Sequence, residues 1–184
     1  MSVKKILVLK ASARKNGNSE LLADALIRGA KRKGHSVTEF HLPEMKIAGC
    51  RACNGCWNSQ GNCVVKDDFK KLEPELEKAD VLVMATPMYW SLFPAQMKAP
   101  MDRMYSYDPI HGGKHLHIGE SVLLTCGETE SEEDFDHIKS VFQVFSEFNG
   151  MKVVDMICVP KVNYKGDIQG NDALRRAEEL GEAL

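Results

Sequence analysis

The sequence has 184 residues and a formal net charge of −2, with 43% hydrophobic and 27% charged residues. These values are typical of a globular chain with one sizeable core, so we expect a single domain over residues 1–184 and neither disorder nor a fibrous structure. Scattered Lys and Arg argue against nucleic acid binding, and no apolar run reaches the roughly 18 residues that a membrane-spanning helix needs. Because no export signal is visible, we predict a cytoplasmic protein whose six cysteines stay reduced.

Short aliphatic runs alternate along the chain with segments of helical periodicity. The runs at residues 6–9, 37–42, 81–85, 122–125 and 153–159 predict five strands. Apolar stripes that include Leu22, Leu72 and Phe142 predict three helices between strands, and residues 172–184 predict a closing helix. Four aromatic residues at helical spacing in the third stripe are interpreted as core: Phe135, Phe142, Phe145 and Phe148.

This alternation predicts an α/β fold with right-handed crossovers, a parallel sheet and helices on both faces, which is a doubly wound architecture. Two segments, residues 43–67 and 105–120, lack the periodicity and are dense in Gly, Cys, His or Asn. Long irregular loops of this kind are often functional. The first is expected to be a cysteine-rich insertion in the single domain.

The loop after the first strand, residues 11–19, predicts an anion site. A helix begins directly after it, and the free N–H groups of a helix N-terminus attract anions. Ser12, Ser19 and Asn18 add neutral donors, and Arg14 can add a positive charge. The spacing matches neither the dinucleotide nor the triphosphate loop, so a monophosphate fits better. Taken alone, this loop could equally be a polar connection with a turn and a helix cap.

The loop after the third strand carries aromatic residues between two prolines, over residues 86–94. Ligands of an open α/β sheet lie beyond the carboxyl ends of the strands, where the strand order reverses, so this loop and the first one should face one crevice. Pro87 stiffens the turn, and Tyr89 and Trp90 offer flat surfaces for a planar heterocycle. Alternatively, these aromatic residues cover the sheet edge or form an oligomer contact.

The two loops, together with Lys98 and the segment from Met101 to Arg103, resemble the NADPH-dependent FMN reductase branch of the flavodoxin-like proteins over nearly the whole chain. The resemblance implies a flavodoxin-like fold with a five-stranded parallel sheet in the order 2-1-3-4-5. It also implies that the first loop holds the phosphate of FMN and the second its isoalloxazine ring. Ala13 stands where the family usually has proline.

The loop after the fourth strand should open into the same crevice, because strands three and four are neighbours in that order. Gly127 there permits close approach of the backbone to a ligand, although a plain turn is an equal alternative. The complete predicted FMN site consists of Ser12, Arg14, Gly17, Asn18, Ser19, Thr86, Pro87, Met88, Tyr89, Trp90 and Gly127.

Four cysteines, Cys50, Cys53, Cys56 and Cys63, lie within fourteen positions. A zinc ribbon separates its two-cysteine knuckles by about 15 to 20 residues, so zinc is disfavoured. The compact run suits an iron-sulfur cube, whose corners are each held by one thiolate. Free thiols, a reversible disulfide or opportunistic zinc stay open as alternatives. Cys126 and Cys158 are interpreted as buried small hydrophobic residues.

The cysteine run also resembles that of the iron-sulfur flavoproteins, a subgroup of the same branch. The resemblance implies a 4Fe-4S cluster with Cys50, Cys53, Cys56 and Cys63 as ligands. It further implies ferredoxin or NAD(P)H as electron donor, a small-molecule acceptor, and a homodimer or homotetramer.

The predicted function is therefore an FMN-dependent oxidoreductase with no catalytic side chain, because hydrolase motifs are absent and the chemistry belongs to the cofactor. The alternatives are an NAD(P)H-dependent FMN or quinone reductase without a cluster, and a non-catalytic flavodoxin-type carrier.

Lys98 and Arg103 are expected to pair with surface carboxylates or to contact a second subunit, although an NADPH phosphate is conceivable. A metal site at His111, His115 and His117 is disfavoured, because no ligand pattern completes it.

Overall fold

The computed structural model describes residues 2–108, 110 and 113–184, so His111 and Gly112 lie outside the described residues. Its strands are β1 (Lys5–Lys10), β2 (Ser36–His41), β3 (Val81–Pro87), β4 (Glu120–Cys126) and β5 (Lys152–Val159). Its α-helices are α1 (Asn18–Arg32), α2 (Phe69–Leu76), α3 (Ala95–Arg103), α4 (Asp136–Phe148) and α5 (Asp172–Ala183). Among the described residues, none of the helices combines the length and the apolar character needed to cross a bilayer.

The five strands form one parallel sheet in the order β2-β1-β3-β4-β5. The predicted doubly wound, flavodoxin-like order is thereby confirmed. The chain runs from β1 outward to β2 and then returns to place β3 on the other side of β1. The carboxyl ends of β1 and β3 therefore flank the point where the winding direction changes, which is where open α/β sheets bind ligands.

Alternate residues of the central strands enter two separate cores, because successive side chains of a strand point to opposite faces. On one face, Leu7 and Met84 pack with Phe69 and Phe142 from α2 and α4. On the other face, Ile6, Val8 and Val83 pack in a core completed by apolar residues of α1 and α5, namely Leu22, Leu26 and Ala177. Helices therefore cover both faces of the sheet, as the alternation predicts.

Helices α1 and α5 approach each other at two glycines. A Cβ atom at Gly29 would lie 1.9 Å from the backbone oxygen of Glu178, and one at Gly181 would lie 2.0 Å from that of Leu26. Real side chains cannot tolerate such distances, so both positions need glycine for the backbones to meet. Arg32 adds ion pairs from α1 to Glu178 and Glu182 on α5.

Two features differ from the sequence expectations. The structure has a helix, α3, between β3 and β4 where the sequence predicted none; Pro100 interrupts its pattern, and its apolar face is short. Phe148 was predicted to lie in the core, but it is 62% exposed, whereas Phe135 and Phe142 are fully buried. Phe148 is the last residue of α4, and its side chain lies beyond the core that the helix covers.

Candidate active site and thiol pocket

A cleft of about 710 Å³ opens at the carboxyl ends of the strands. Three predicted loops meet there, and they bring together Ser12, Arg14, Gly17, Asn18, Ser19, Pro87, Met88, Tyr89 and Gly127. The remaining predicted residues, Thr86 and Trp90, do not line it. Thr86 is fully buried below the loop, and Trp90 is 99% exposed.

The loop between β1 and α1 is folded tightly around its own backbone. The Arg14 N–H donates to Ser12 Oγ at 3.1 Å, and the Gly17 N–H donates to the Arg14 carbonyl at 2.9 Å. A Cβ at Gly17 would lie 2.7 Å from Ser12 Oγ, so this turn requires glycine. The first-turn N–H groups at Asn18 and Ser19, which have no partner within the helix, border the cleft at the predicted anion site.

Asn18 has a different role from the one its sequence position suggests. Its amide nitrogen donates to the Tyr164 carbonyl at 2.9 Å, and its amide oxygen accepts from the Gly166 N–H at 3.0 Å. Arg14 likewise donates to the Asn163 carbonyl at 2.7 Å. These bonds fasten the first loop to the loop that follows β5, so the Asn18 side chain supports the wall of the anion site.

The loop after β5 is the part of the cleft that the sequence analysis missed. Val162, Asn163 and Lys165 line the cleft beside the predicted anion site, so Lys165 is a second basic residue of the cleft besides Arg14. A signal was present, because β5 ends at the same sheet edge as β1 and β3 and polar residues follow it directly.

The loop after β3 reverses direction in a tight turn. Tyr89 and Leu92 exchange backbone hydrogen bonds of 2.9 and 3.0 Å, and the two residues between them, Trp90 and Ser91, have φ values of 50° and 61°. Left-handed backbone is strained for residues other than glycine. The turn directs Tyr89 to the cleft and leaves the Trp90 ring in solvent.

The fourth wall of the cleft consists of Cys126, Gly127 and Glu128 at the end of β4. Burial raises the pKa of the Cys126 thiol to about 12, so this thiol is neutral at physiological pH. Glu128 begins an acidic surface that continues through Glu130 and Glu133. The cleft thus has two basic residues, Arg14 and Lys165, at one end and an acidic residue, Glu128, on another side.

A second pocket, of about 360 Å³, lies in the loop between β2 and α2 and is called here the thiol pocket. All four clustered cysteines line it: Cys50, Cys53, Cys56 and Cys63. The backbone curls around them, because Ala52 and Asn54 have φ values of 51° and 54°. None of the four forms a disulfide.

The thiols of the pocket differ in their electrostatic environment. A backbone hydrogen bond from Gly55 and the Arg51 guanidinium lower the pKa of Cys53. Partial burial raises the pKa of Cys56, and the neighbouring Cys63, Cys50 and Cys53 add to the effect. The described residues contain no group of three or more His, Cys, Asp or Glu side chains arranged around a single metal ion.

Arg103 closes the inner side of the thiol pocket. Its side chain is 1% exposed, donates to Asp67 Oδ2 at 2.8 Å and to the Ala48 carbonyl at 3.0 Å, and lies over the Phe69 ring. The prediction that Arg103 is a surface residue is therefore wrong, because the loop folds over it. Lys98, by contrast, pairs with Asp102 on the surface, as expected.

One continuous segment, residues 87–106, connects the two sites. It begins with Pro87 and Tyr89 in the cleft, continues through α3, and ends with Arg103, Tyr105 and Ser106 at the thiol pocket.

Comparison with known proteins agrees with this geometry. The family described as having a Flavodoxin-like fold matches residues 4–183. The chain belongs to this family. An iron-sulfur flavoprotein of Archaeoglobus fulgidus is 29% identical over 182 residues, which cover 98% of this chain and 78% of that protein. An FMN-dependent NADH:quinone oxidoreductase of Thiobacillus denitrificans is 27% identical, with 98% of this chain and 94% of that protein covered.

A solved structure, the NAD(P)H:quinone oxidoreductase from Methanothermobacter marburgensis, has the same fold. It superposes with a TM-score of 0.77 at 22% identity, covering 98% of this chain and 96% of that one. The predicted resemblance to the FMN reductase branch and its iron-sulfur flavoproteins is thereby confirmed. The chain is a flavin-dependent oxidoreductase of this family.

Proposed function

We propose that the protein takes electrons from ferredoxin or NAD(P)H and relays them through FMN and a 4Fe-4S cluster to a small-molecule acceptor. The observation that carries this proposal is the pair of sites at the two ends of residues 87–106. The cleft would hold the flavin and the thiol pocket the cluster, and helix α3 lies between the two along the chain.

The walls of the cleft suit FMN. The start of α1, with Arg14 and Lys165, provides N–H donors and positive charge for a monophosphate. Pro87, Met88 and Tyr89 provide apolar and aromatic surface for the ring system. When bound, FMN supplies hydride and single-electron chemistry, so no side chain need act as an acid or base.

The thiol pocket suits a cluster better than a single ion. A zinc ribbon separates its cysteine knuckles by about 15 to 20 residues, whereas Cys50, Cys53, Cys56 and Cys63 lie within fourteen positions. A 4Fe-4S cube takes one thiolate at each of its four corners, and four free thiols line this one pocket. When assembled from Cys50, Cys53, Cys56 and Cys63, the cluster supplies one-electron transfer.

The test is the visible spectrum of protein purified without oxygen, combined with iron and acid-labile sulfide analysis. The wild-type protein should show flavin bands and about four irons per chain. Cys53→Ala should keep the flavin and lose the iron. Cys158→Ala, a buried cysteine outside the thiol pocket, is the matched control and should keep both. Iron-free wild-type protein with a spectrum unchanged in Cys53→Ala would contradict the proposal.

A second candidate is an NAD(P)H-dependent FMN or quinone reductase without a cluster. The similarity to the quinone oxidoreductase of Thiobacillus denitrificans over almost the whole chain favours it. Steady NADPH oxidation by the isolated, iron-free protein in the presence of a quinone would support this candidate. A non-catalytic carrier is less favoured, because the net charge of −2 is small for a protein that docks to partners through acidic residues.

The predicted assembly also belongs to this proposal. Trp90 and Leu92 expose 99% and 44% of their surface beside the cleft, which suits a contact with a second subunit in a homodimer or homotetramer. Sedimentation of wild-type protein and of Trp90→Ser would test it, since the variant should dissociate more readily. The cytoplasmic location stays a prediction.

A further inference from the structure

Two hydrogen-bond donors line one wall of the thiol pocket, which is formed by the end of α3 and the helical turn after it. The first is Arg103, whose Nε–H donates to the sulfur of Cys63 at 3.0 Å. Its other nitrogen atoms donate to Asp67 and to the Ala48 carbonyl, which already fasten the guanidinium in place. The Nε–H is therefore the one group of Arg103 that is directed at a thiol.

The second donor is Ser106, in the helical turn Met104–Tyr107 that follows α3. Ser106 lines the thiol pocket and is 3% exposed. Within the part of the chain that the structure describes, its hydroxyl is buried and has no hydrogen-bond partner. Leaving a buried hydroxyl unpaired is unfavourable, so such groups usually have a partner when the site is filled.

We infer that Ser106 and Arg103 are positioning residues that donate hydrogen bonds to the sulfur atoms of the cluster and raise its reduction potential. This inference rests on the proposed function, because it requires a cluster held by Cys50, Cys53, Cys56 and Cys63. Reduction adds negative charge to the cluster and its thiolates. Donors and a buried cation stabilise that charge, and hydrogen bonds to sulfur are among the factors that set cluster potentials.

A merely structural role predicts something different. If Arg103 only fastens the loop to α3, and Ser106 only fills space, their substitution changes stability but leaves the potential alone. The potential of the cluster is therefore the measurement that separates the two roles.

The experiment is a redox titration of the reduced-cluster EPR signal, with iron and sulfide content measured on the same samples. Ser106→Ala should keep about four irons per chain and titrate at a more negative potential. At the potential where the wild-type cluster is half reduced, the ratio of oxidised to reduced cluster should rise several-fold. A tenfold rise would correspond to about 59 mV for a one-electron couple. Ser106→Thr keeps the hydroxyl and should restore the wild-type value.

Arg103→Lys keeps the positive charge but lacks the forked guanidinium, and it should shift the potential in the same direction. Because Arg103 is buried, this variant can fail to fold, and the Ser106 variants then decide the question independently. Ser146→Ala is the matched control. It also removes a buried hydroxyl, but that hydroxyl pairs with Ser121 far from the pocket, so the potential should not change.

The possible results distinguish the presence of a cluster from the role of Ser106 and Arg103 in setting its potential. A wild-type protein without iron overturns the proposed function and this inference with it. A wild-type protein with a cluster, and variants at Ser106 and Arg103 that titrate at the wild-type potential, overturns this inference alone. A negative shift in Ser106→Ala that Ser106→Thr reverses supports it.

Discussion

At the scale of single residues, Gly17 sets the shape of the anion site. A Cβ there would lie 2.7 Å from Ser12 Oγ and 2.8 Å from the Arg14 carbonyl, so Gly17→Ala must displace the loop. We expect FMN binding to weaken roughly tenfold, or by about 1.4 kcal/mol, as measured by equilibrium dialysis of the apoprotein. Gly119→Ala has nothing within 4 Å of the new Cβ and should bind FMN like the wild type. Equal affinity in both variants would contradict this role of Gly17.

The ion pair between Arg103 and Asp67 should matter far more than the one between Lys98 and Asp102. The first pair is 1% and 13% exposed, and the second is 53% and 42% exposed. Removing one partner of a buried pair leaves an uncompensated charge, so Asp67→Asn should lower the free energy of unfolding by about 3 kcal/mol. Asp102→Asn should change it by less than about 1 kcal/mol. Urea denaturation of both variants measures the difference.

The ion pair between Arg103 and Asp67 also predicts how the free energy of unfolding depends on pH. Although burial opposes its ionisation, hydrogen bonds from Arg103 and from backbone N–H groups hold the pKa of Asp67 below its usual value of 3.8. The stabilisation is therefore fully present above that pH and is lost as the pH falls through the lower pKa of the folded state. The difference in unfolding free energy between wild type and Asp67→Asn should be constant near neutral pH and shrink only in strong acid. A difference that shrinks between pH values of about 6 and 8 would argue against this assignment.

The role of a residue could be predicted from the sequence where a local pattern determines that role. The glycine and serines of the first loop are recognisable because a tight turn before a helix needs those residue types. The burial of Arg103 was not predictable, because it depends on the cysteine loop folding over α3 from a distant part of the sequence. The hydrogen bond from the Asn18 amide to the Tyr164 carbonyl was not predictable for the same reason, because the two residues are far apart in the sequence.

At the scale of elements, the turn between β3 and α3 is strained at Trp90 and Ser91. Ser91 has a φ of 61°, a value that glycine adopts without steric cost. Ser91→Gly should therefore raise the free energy of unfolding by up to about 1 kcal/mol. Ser140→Gly, at an exposed position of the regular helix α4, should lower it by about 1 kcal/mol. Thermal unfolding of the two variants should show opposite shifts, and shifts of the same sign would refute the strain at Ser91.

The strands and the helices α1, α2, α4 and α5 could be predicted because their apolar residues recur at the spacing of a strand or a helix. Helix α3 could not, because Pro100 lies inside it and its buried face is short. The loop after β5 was missed for a related reason: it has no periodicity and no known motif, and only the position of β5 in the sheet brings it to the cleft.

At the scale of the whole molecule, the contact between α1 and α5 joins the first and last helices of the fold. Gly→Ala normally stabilises a helix by about 1 kcal/mol. At Gly181 the sign should reverse, because the new Cβ would lie 2.0 Å from the Leu26 backbone oxygen and the helices would have to separate. We expect Gly181→Ala to lower the free energy of unfolding by about 2 kcal/mol or more. Chemical denaturation measures it, and an unchanged or raised midpoint would disprove the close contact.

The chain has two tryptophans, and each one lies at a different site. Trp90 stands in solvent at the edge of the cleft, and Trp57 lies in the cysteine loop with its ring centroid 6.0 Å from that of Tyr105. In Trp57→Phe the remaining intrinsic fluorescence therefore comes from the flavin side alone, and in Trp90→Phe from the thiol side alone. The two single-tryptophan variants thus provide two optical reporters, one beside each site, with which the loading of each site can be followed without an added label.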